Sequence, residues 1–172
     1  AWFACAGDVF GDLGPRDEEA FEVERVALGG DELYVAALFV GSPRMLLAHG
    51  YAARVFSVFE RHAVPVDVIA TSEVSISITV DGKAPLEALV RDLSEFAELS
   101  VLRDLAVVSV VGRKLRSTPR VAASVFAALD DINVVLISQG ASETNVTFVV
   151  QASDAPEAVR RLHRELFEKE AA

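Results

Sequence analysis

The residues best equipped for chemistry lie between Val64 and Val80, in the stretch VPVDVIATSEVSISITV. Thr71, Ser72 and Glu73 set two hydroxyls beside a carboxylate, and Asp67 adds a second carboxylate in a run otherwise rich in Val and Ile. A related cluster, Gln139, Ser142, Glu143 and Asn145, sits within INVVLISQGASETNVTFVV, Ile132 to Val150. Hydroxyls, amides and carboxylates in this arrangement can hydrogen-bond a small polar molecule. No nucleophile stands beside a base and an orienting group, which a catalytic centre requires. Two such clusters point to a small-molecule site in a repeated module.

The flanking residues show what must hold these clusters. Val66, Val68 and Ala70 alternate with Asp67 and Ile69, and Val74, Ile76, Ile78 and Val80 alternate with Ser75, Ser77 and Thr79. A period of two predicts two strands meeting at the polar junction. Upstream, Phe21 to Leu28 and Leu33 to Val40 predict strands, separated by a turn at Gly29-Gly30-Asp31. After His49-Gly50, the spacing of Ala52, Val55, Phe56 and Phe59 predicts a helix that buries those four and ends near His62. Asp81-Gly82 marks a turn, and Pro85 opens a helix with Leu86, Leu89, Val90 and Leu93 inward. A short strand at Leu99 to Leu102 completes β-α-β-β-α-β, the ferredoxin-like plait.

The pattern then begins again. Leu105 to Val111 predicts a strand, Arg113 to Pro119 a loop, and Val121, Val125, Phe126 and Leu129 a helix face. Val134 to Ser138 and Asn145 to Val150 predict strands, and Pro156 to Phe167 a helix with Val159, Leu162 and Leu166 inward. Val55-Phe56 matches Val125-Phe126, and Ser72-Glu73 matches Ser142-Glu143, each 70 residues on. The second copy is one strand short, and the strand at Phe21 to Leu28 has no place in the first. It is expected to cross over and fill the gap, which interleaves the modules. The expected organisation is a linker or tail at 1–20, the crossing strand at 21–30, a first module at 31–104, a second at 105–168 and a tail at 169–172. The fold class is α+β, with two antiparallel sheets and helices on one face of each.

Composition excludes several functions for such modules. The net charge of −10 opposes phosphate backbones, and the central strands lack the aromatic residues of an RNA-binding sheet. The lone Cys5 and the scattered His49, His62 and His163 offer no metal set. No apolar run reaches the roughly 18 residues of a spanning helix, so no membrane partner is expected. A single cysteine and no signal peptide fit the cytoplasm. With no initial Met, the chain is expected to be a piece of a longer polypeptide.

The segment SPRMLLAHGYAARVFSVFERHAVPVDVIATSEVSISITVD, Ser42 to Asp81, resembles the first regulatory ACT module of aspartate kinases. VSVVGRKLRSTPRVAASVFAALDDINVVLISQGASETNVTFVV, Ser109 to Val150, resembles the second, and the ending LHRELFE fits the lysine-sensitive type. The resemblance covers roughly residues 21 to 168 and implies a regulatory region without catalytic residues or cofactor of its own. ATP and magnesium would belong to a preceding kinase domain, which phosphorylates aspartate at the head of the lysine, threonine, methionine and diaminopimelate pathway. The resemblance further implies a homodimer through the ACT modules and an end-product amino acid as ligand.

By resemblance, Met45, Gly50, Tyr51, Ala52, Asp67, Thr71, Ser72 and Glu73 fall at lysine-contacting positions. Residue chemistry agrees. Free N–H groups around Gly50 to Ala52 suit a carboxylate, and Asp67 and Glu73 suit ammonium groups. Ala48 stands where lysine-sensitive enzymes often have a polar residue, which keeps open a different effector such as threonine, or a dimerisation module with a vestigial site. In the second module Val135 replaces the aspartate, so Gln139, Ser142, Glu143 and Asn145 are expected to serve an interface rather than a second lysine site.

Overall fold

The computed structural model describes residues 22–28, 34–45, 48–140 and 142–168. The expected linker at 1–20, the turn at Gly29-Gly30-Asp31 and the tail at 169–172 lie outside the described residues. Chain order is β1 (Glu22–Leu28), β2 (Val35–Gly41), α1 (Tyr51–Arg61), β3 (Ile69–Thr71), β4 (Ser75–Asp81), α2 (Leu86–Ser94), β5 (Glu98–Arg113), α3 (Val121–Leu129), β6 (Val134–Gln139), β7 (Asn145–Gln151) and α4 (Ala155–His163). A π-helical turn, Arg164–Glu168, continues α4. The chain divides into two compact units, one of Tyr34–Leu105 and one that joins the N-terminal segment holding β1 to residues from Ala106 onward.

In the first unit the strand order is β3-β4-β2-β5, every neighbour antiparallel. Alternation explains its core. Ala36, Leu38 and Val40 of β2 and Ile76, Ile78 and Val80 of β4 face one side, where Val55, Val58 and Phe59 of α1 and Leu86, Leu89 and Leu93 of α2 cover them. Cutting one of these buried leucines to Ala typically costs about 2–5 kcal/mol. The buried stripe of α1 differs from the expected one. Val58 joins Val55 and Phe59 at spacings of three and four, Phe56 is half-buried, and Ala52, in the first turn beyond the end of the stripe, is exposed. At the other end of α1, His62 Nε2 lies 2.9 Å from an Asp92 carboxylate oxygen of α2, with Arg61 at 3.6 Å. At the β4–α2 turn Gly82 donates its N–H to Tyr34 O at 3.1 Å, and a Cβ there would come within 2.9 Å of that oxygen.

The second unit repeats the plan. Val121, Val125 and Leu129 of α3 and Ala155, Ala158 and Leu162 of α4 pack on Val108 and Val110 of β5 and on Val146, Phe148 and Val150 of β7. The strand order is β6-β7-β5, and β1 pairs antiparallel with β5 from Glu22↔Arg113 to Leu28↔Val108. With β1 counted as the fourth strand, both units read second-third-first-fourth across the sheet. No helix of the described residues is long and apolar enough to cross a membrane.

One expectation is corrected. The strands read at Leu99 to Leu102 and Leu105 to Val111 are a single strand, β5, that serves both units. The polar pair Arg103-Asp104 reads as a break but is accommodated as a bulge. Asp104 takes φ 55°, and the pairing with β2 slips between Val35↔Leu105 and Ala37↔Leu102 without ending. Aspartate tolerates the left-handed region better than most residues, so the ladder continues through it.

Because β1 covers β5 from Val108 to Arg113, deleting residues 1–30 should leave an open strand edge in the second unit. The truncated chain should show a lower urea midpoint and self-association in size-exclusion chromatography. Deleting only residues 1–18 spares β1 and should leave both readings unchanged. Equal behaviour of the two truncations would show that β1 contributes nothing to the unit.

Candidate effector-binding site

Two loops of the first unit carry most of the expected site, and a backbone hydrogen bond joins them. After β2 the chain makes a 3₁₀ turn at Pro43–Met45 and reaches Gly50, which caps α1 with a left-handed φ of 76°. A residue with a Cβ would be strained there, and open space surrounds the position. The other loop, between β3 and β4, is the Thr71-Ser72-Glu73-Val74 turn. Ser42 N–H donates to Val74 O at 3.0 Å and ties the two together. The second unit repeats this bond 70 residues on, Gly112 N–H to Thr144 O at 2.8 Å.

Individual positions divide into builders and free groups. Ser72 builds the turn. Its Oγ accepts from Val74 N–H at 3.3 Å and Ser75 N–H at 3.1 Å and lies 2.7 Å from Ser75 Oγ. Met45 and Tyr51 pack against the core, and the Tyr51 ring meets Phe96 edge-on at 5.9 Å between centroids. The Tyr51 hydroxyl is buried and has no hydrogen-bond partner among the described residues. The first turn of α1 has no side-chain cap and no acidic residue, so the N–H groups of Tyr51 and Ala52 lack the usual internal acceptor. Thr71 and Glu73 are exposed, and among the described residues the Glu73 carboxylate makes no ion pair.

Asp67 is set apart by backbone geometry. It lies four positions before Thr71, about 13 Å along an extended strand. Asp67 N–H donates to Thr79 O at 3.0 Å, Val68 N–H donates to Thr79 Oγ1 at 2.9 Å, and Thr79 N–H returns to Val68 O at 2.9 Å. Two residues thus oppose one, the pattern of a β-bulge, which re-aims the Asp67 side chain. Asp67 keeps much of its surface in solvent, yet partial burial pushes its carboxyl above the usual aspartate range, and the negative charge of Asp81 adds to the rise. Thr79, fully buried, is a supporting residue that the sequence reading passed over. It shares its strand face with Ser75 and Ser77, opposite Ile76, Ile78 and Val80, so the alternation of β4 gave no sign of its burial.

The second unit carries the same bulge with a different side chain. Its β6–β7 register slips between Val134↔Val150 and Leu136↔Val149, so Val135 is the extra residue where Asp67 stands in the first. Gln139 ends β6, Asn145 begins β7, and Ser142 Oγ bonds Thr144 N–H at 3.1 Å and Thr144 Oγ1 at 2.9 Å. Glu143 is paired with Arg116, which also donates to Gly140 O at 3.4 Å. Arg116 was not singled out from sequence, although it lies among the three cations Arg113, Lys114 and Arg116 of one loop. No group of three or more potential metal ligands occurs among the described residues.

Comparison with known proteins gives these loops a setting. The family model described as ACT domain matches residues 40–91 and 108–166. The lysine-sensitive aspartokinase 3 of Escherichia coli is 37% identical over 139 residues, 76% of this chain and 31% of that protein. The chain spans less than a third of the length of the curated relatives it matches. The crystal structure of E. coli aspartokinase III in complex with lysine and aspartate superposes with a TM-score of 0.75 at 32% identity, over 88% of this chain and 35% of that one. The ligand-free regulatory subunit of aspartate kinase from Thermus thermophilus gives 0.69 at 31% identity, over 84% and 98%. The chain therefore belongs to the tandem ACT-domain regulatory regions of aspartate kinases.

Proposed function

We propose that this region senses L-lysine through its first module and transmits feedback inhibition to an aspartate kinase domain of the same polypeptide, in the cytoplasm. ATP and magnesium are bound by that kinase domain. One observation carries the choice of ligand. Among the described residues Asp67 and Glu73 are two carboxylates without counter-ions that flank β3, and the turn holding Glu73 is tied to the loop before α1, whose start has no side-chain cap. Lysine has two ammonium groups and one carboxylate, and each finds an opposite partner in that arrangement. Threonine or methionine, with one ammonium, would leave one acid unanswered. The E. coli relative's lysine complex is consistent with this reading. Met45, Gly50, Tyr51 and Ala52 then form the carboxylate end, and Thr71, Ser72 and Glu73 one ammonium end. The module acts as a homodimer. Exposed Ile69 and Ile137, on the edge strands β3 and β6, support pairing with a second copy.

Calorimetric titration should give lysine a Kd on the order of micromolar to millimolar, about −8 to −4 kcal/mol. Asp67→Ala should weaken it roughly tenfold or more, because the ligand's ammonium then loses its charged partner. Unchanged affinity in that variant, or tighter binding of threonine, would overturn the lysine reading.

The raised pKa of Asp67 sets a second expectation. A carboxyl whose folded pKa is raised gives stability that is fully present below its ordinary pKa and lost as pH rises through the folded value. Without ligand, Asp67→Asn should therefore melt higher than the parent at neutral pH, and the gap should close in mild acid. Lysine affinity of the parent chain should fall as Asp67 becomes protonated. A lower melting temperature of Asp67→Asn at neutral pH would contradict the origin given for the shift.

In the full enzyme, lysine should couple to the kinase site by about 1–3 kcal/mol. Thr71→Leu should relieve inhibition and spare the turn, since the turn is built by Ser72 rather than Thr71. Wild-type lysine sensitivity in Thr71→Leu would remove Thr71 from the site.

A further inference from the structure

The two units share a bulge, a loop-to-turn hydrogen bond and a carboxylate at the same turn position, yet the carboxylates differ in one respect. Glu73 has no cation beside it among the described residues. Glu143 has one from its own chain, the Arg116 guanidinium. Arg116 reaches across from the loop before α3 to the turn between β6 and β7, the turn to which Gly112 N–H, near the end of β5, is tied through Thr144 O. One nitrogen donates to Gly140 O at 3.4 Å and the other meets Glu143. The position 70 residues earlier is Leu46, which cannot supply a charge.

We propose that Arg116 is a built-in cation that holds the carboxylate of the second module and so reserves amino-acid binding for the first. This rests on the reading of the first module as a site for a ligand with ammonium groups. The guanidinium stands where a ligand's ammonium would otherwise sit. Arginine suits the role because its fixed fork can serve a carboxylate and a carbonyl together. The pair is partly exposed, with 47% of the Arg116 side chain accessible, so its worth to overall stability is small. Its consequence is selectivity. An incoming ammonium must displace a tethered competitor and finds Val135 in place of a second acid.

The test is lysine calorimetry on the full chain. The parent should bind one lysine per chain, and Val135→Asp, with Arg116 kept, should still bind one. Arg116→Leu combined with Val135→Asp should bind two. In a Glu73→Gln background, which disables the first module, the same pair of changes should restore about one site while the background alone binds none. A parent chain that binds no lysine at all would overturn the reading of the first module. The restored site in the Glu73→Gln background would still report on Arg116. A second site created by Val135→Asp alone would overturn the proposal, and so would a folded double variant that stays at one. Hydrogen exchange of the single Arg116→Leu variant gives an independent reading. Protection of the Gly112 amide should fall several-fold if Arg116 holds loop to turn, and unchanged protection would count against that bridge.

Discussion

The organisation of each module depends on one backbone hydrogen bond, from the end of its first strand to the turn between its second and third. In the first module it is Ser42 N–H to Val74 O, and in the second Gly112 N–H to Thr144 O. Each closes the end of the sheet where a helix begins. Without it, the helix start and the polar turn would be two separate solvent-exposed loops. With it, the N–H groups at Tyr51 and Ala52 and the hydroxyl and carboxylate of Thr71 and Glu73 lie on segments tied together. Because the bond is made by main-chain atoms, side chains at both loops remain available to diverge, and the two modules have diverged.

The divergence is electrostatic. In the first module the bulge opposite Thr79 carries Asp67, whose carboxyl is held above its usual range by burial and by Asp81. A fold that keeps an ionised acid in such a place at neutral pH gives up stability until a cation arrives, the usual cost of a preformed site. In the second module the same bulge carries Val135, and Glu143 is answered from within by Arg116. Among the described residues, one copy thus lacks counter-charge at its turn and the other supplies its own.

The strand β5 adds a constraint of its own. It contributes its first half to the fourth position of one unit and its second half to the first position of the other. The fourth position of the second unit is filled by β1, from the opposite end of the sequence. The second unit cannot be excised as a continuous segment without losing β1.

Alternating residues along Val74 to Val80 and spacings of three and four along α1 and α2 determined which elements form, because local periodicity follows from backbone geometry alone. The 70-residue repeat and the count of strands likewise determined the plait and the need for a crossing strand. Tertiary structure decided the rest. That Arg103-Asp104 is a bulge within β5 depended on the partner β2 keeping its ladder across it. That Ala52 is exposed and Val58 buried depended on which face of α1 joins the core with Leu38, Ile76 and Leu89. The aim of Asp67 depended on Thr79 across the strand, and the ion pair of the second cluster depended on Arg116, 27 residues from Glu143 in sequence. Sequence patterns report what a residue's near neighbours impose, whereas register slips and ion pairs are set by groups that only the folded chain brings within reach.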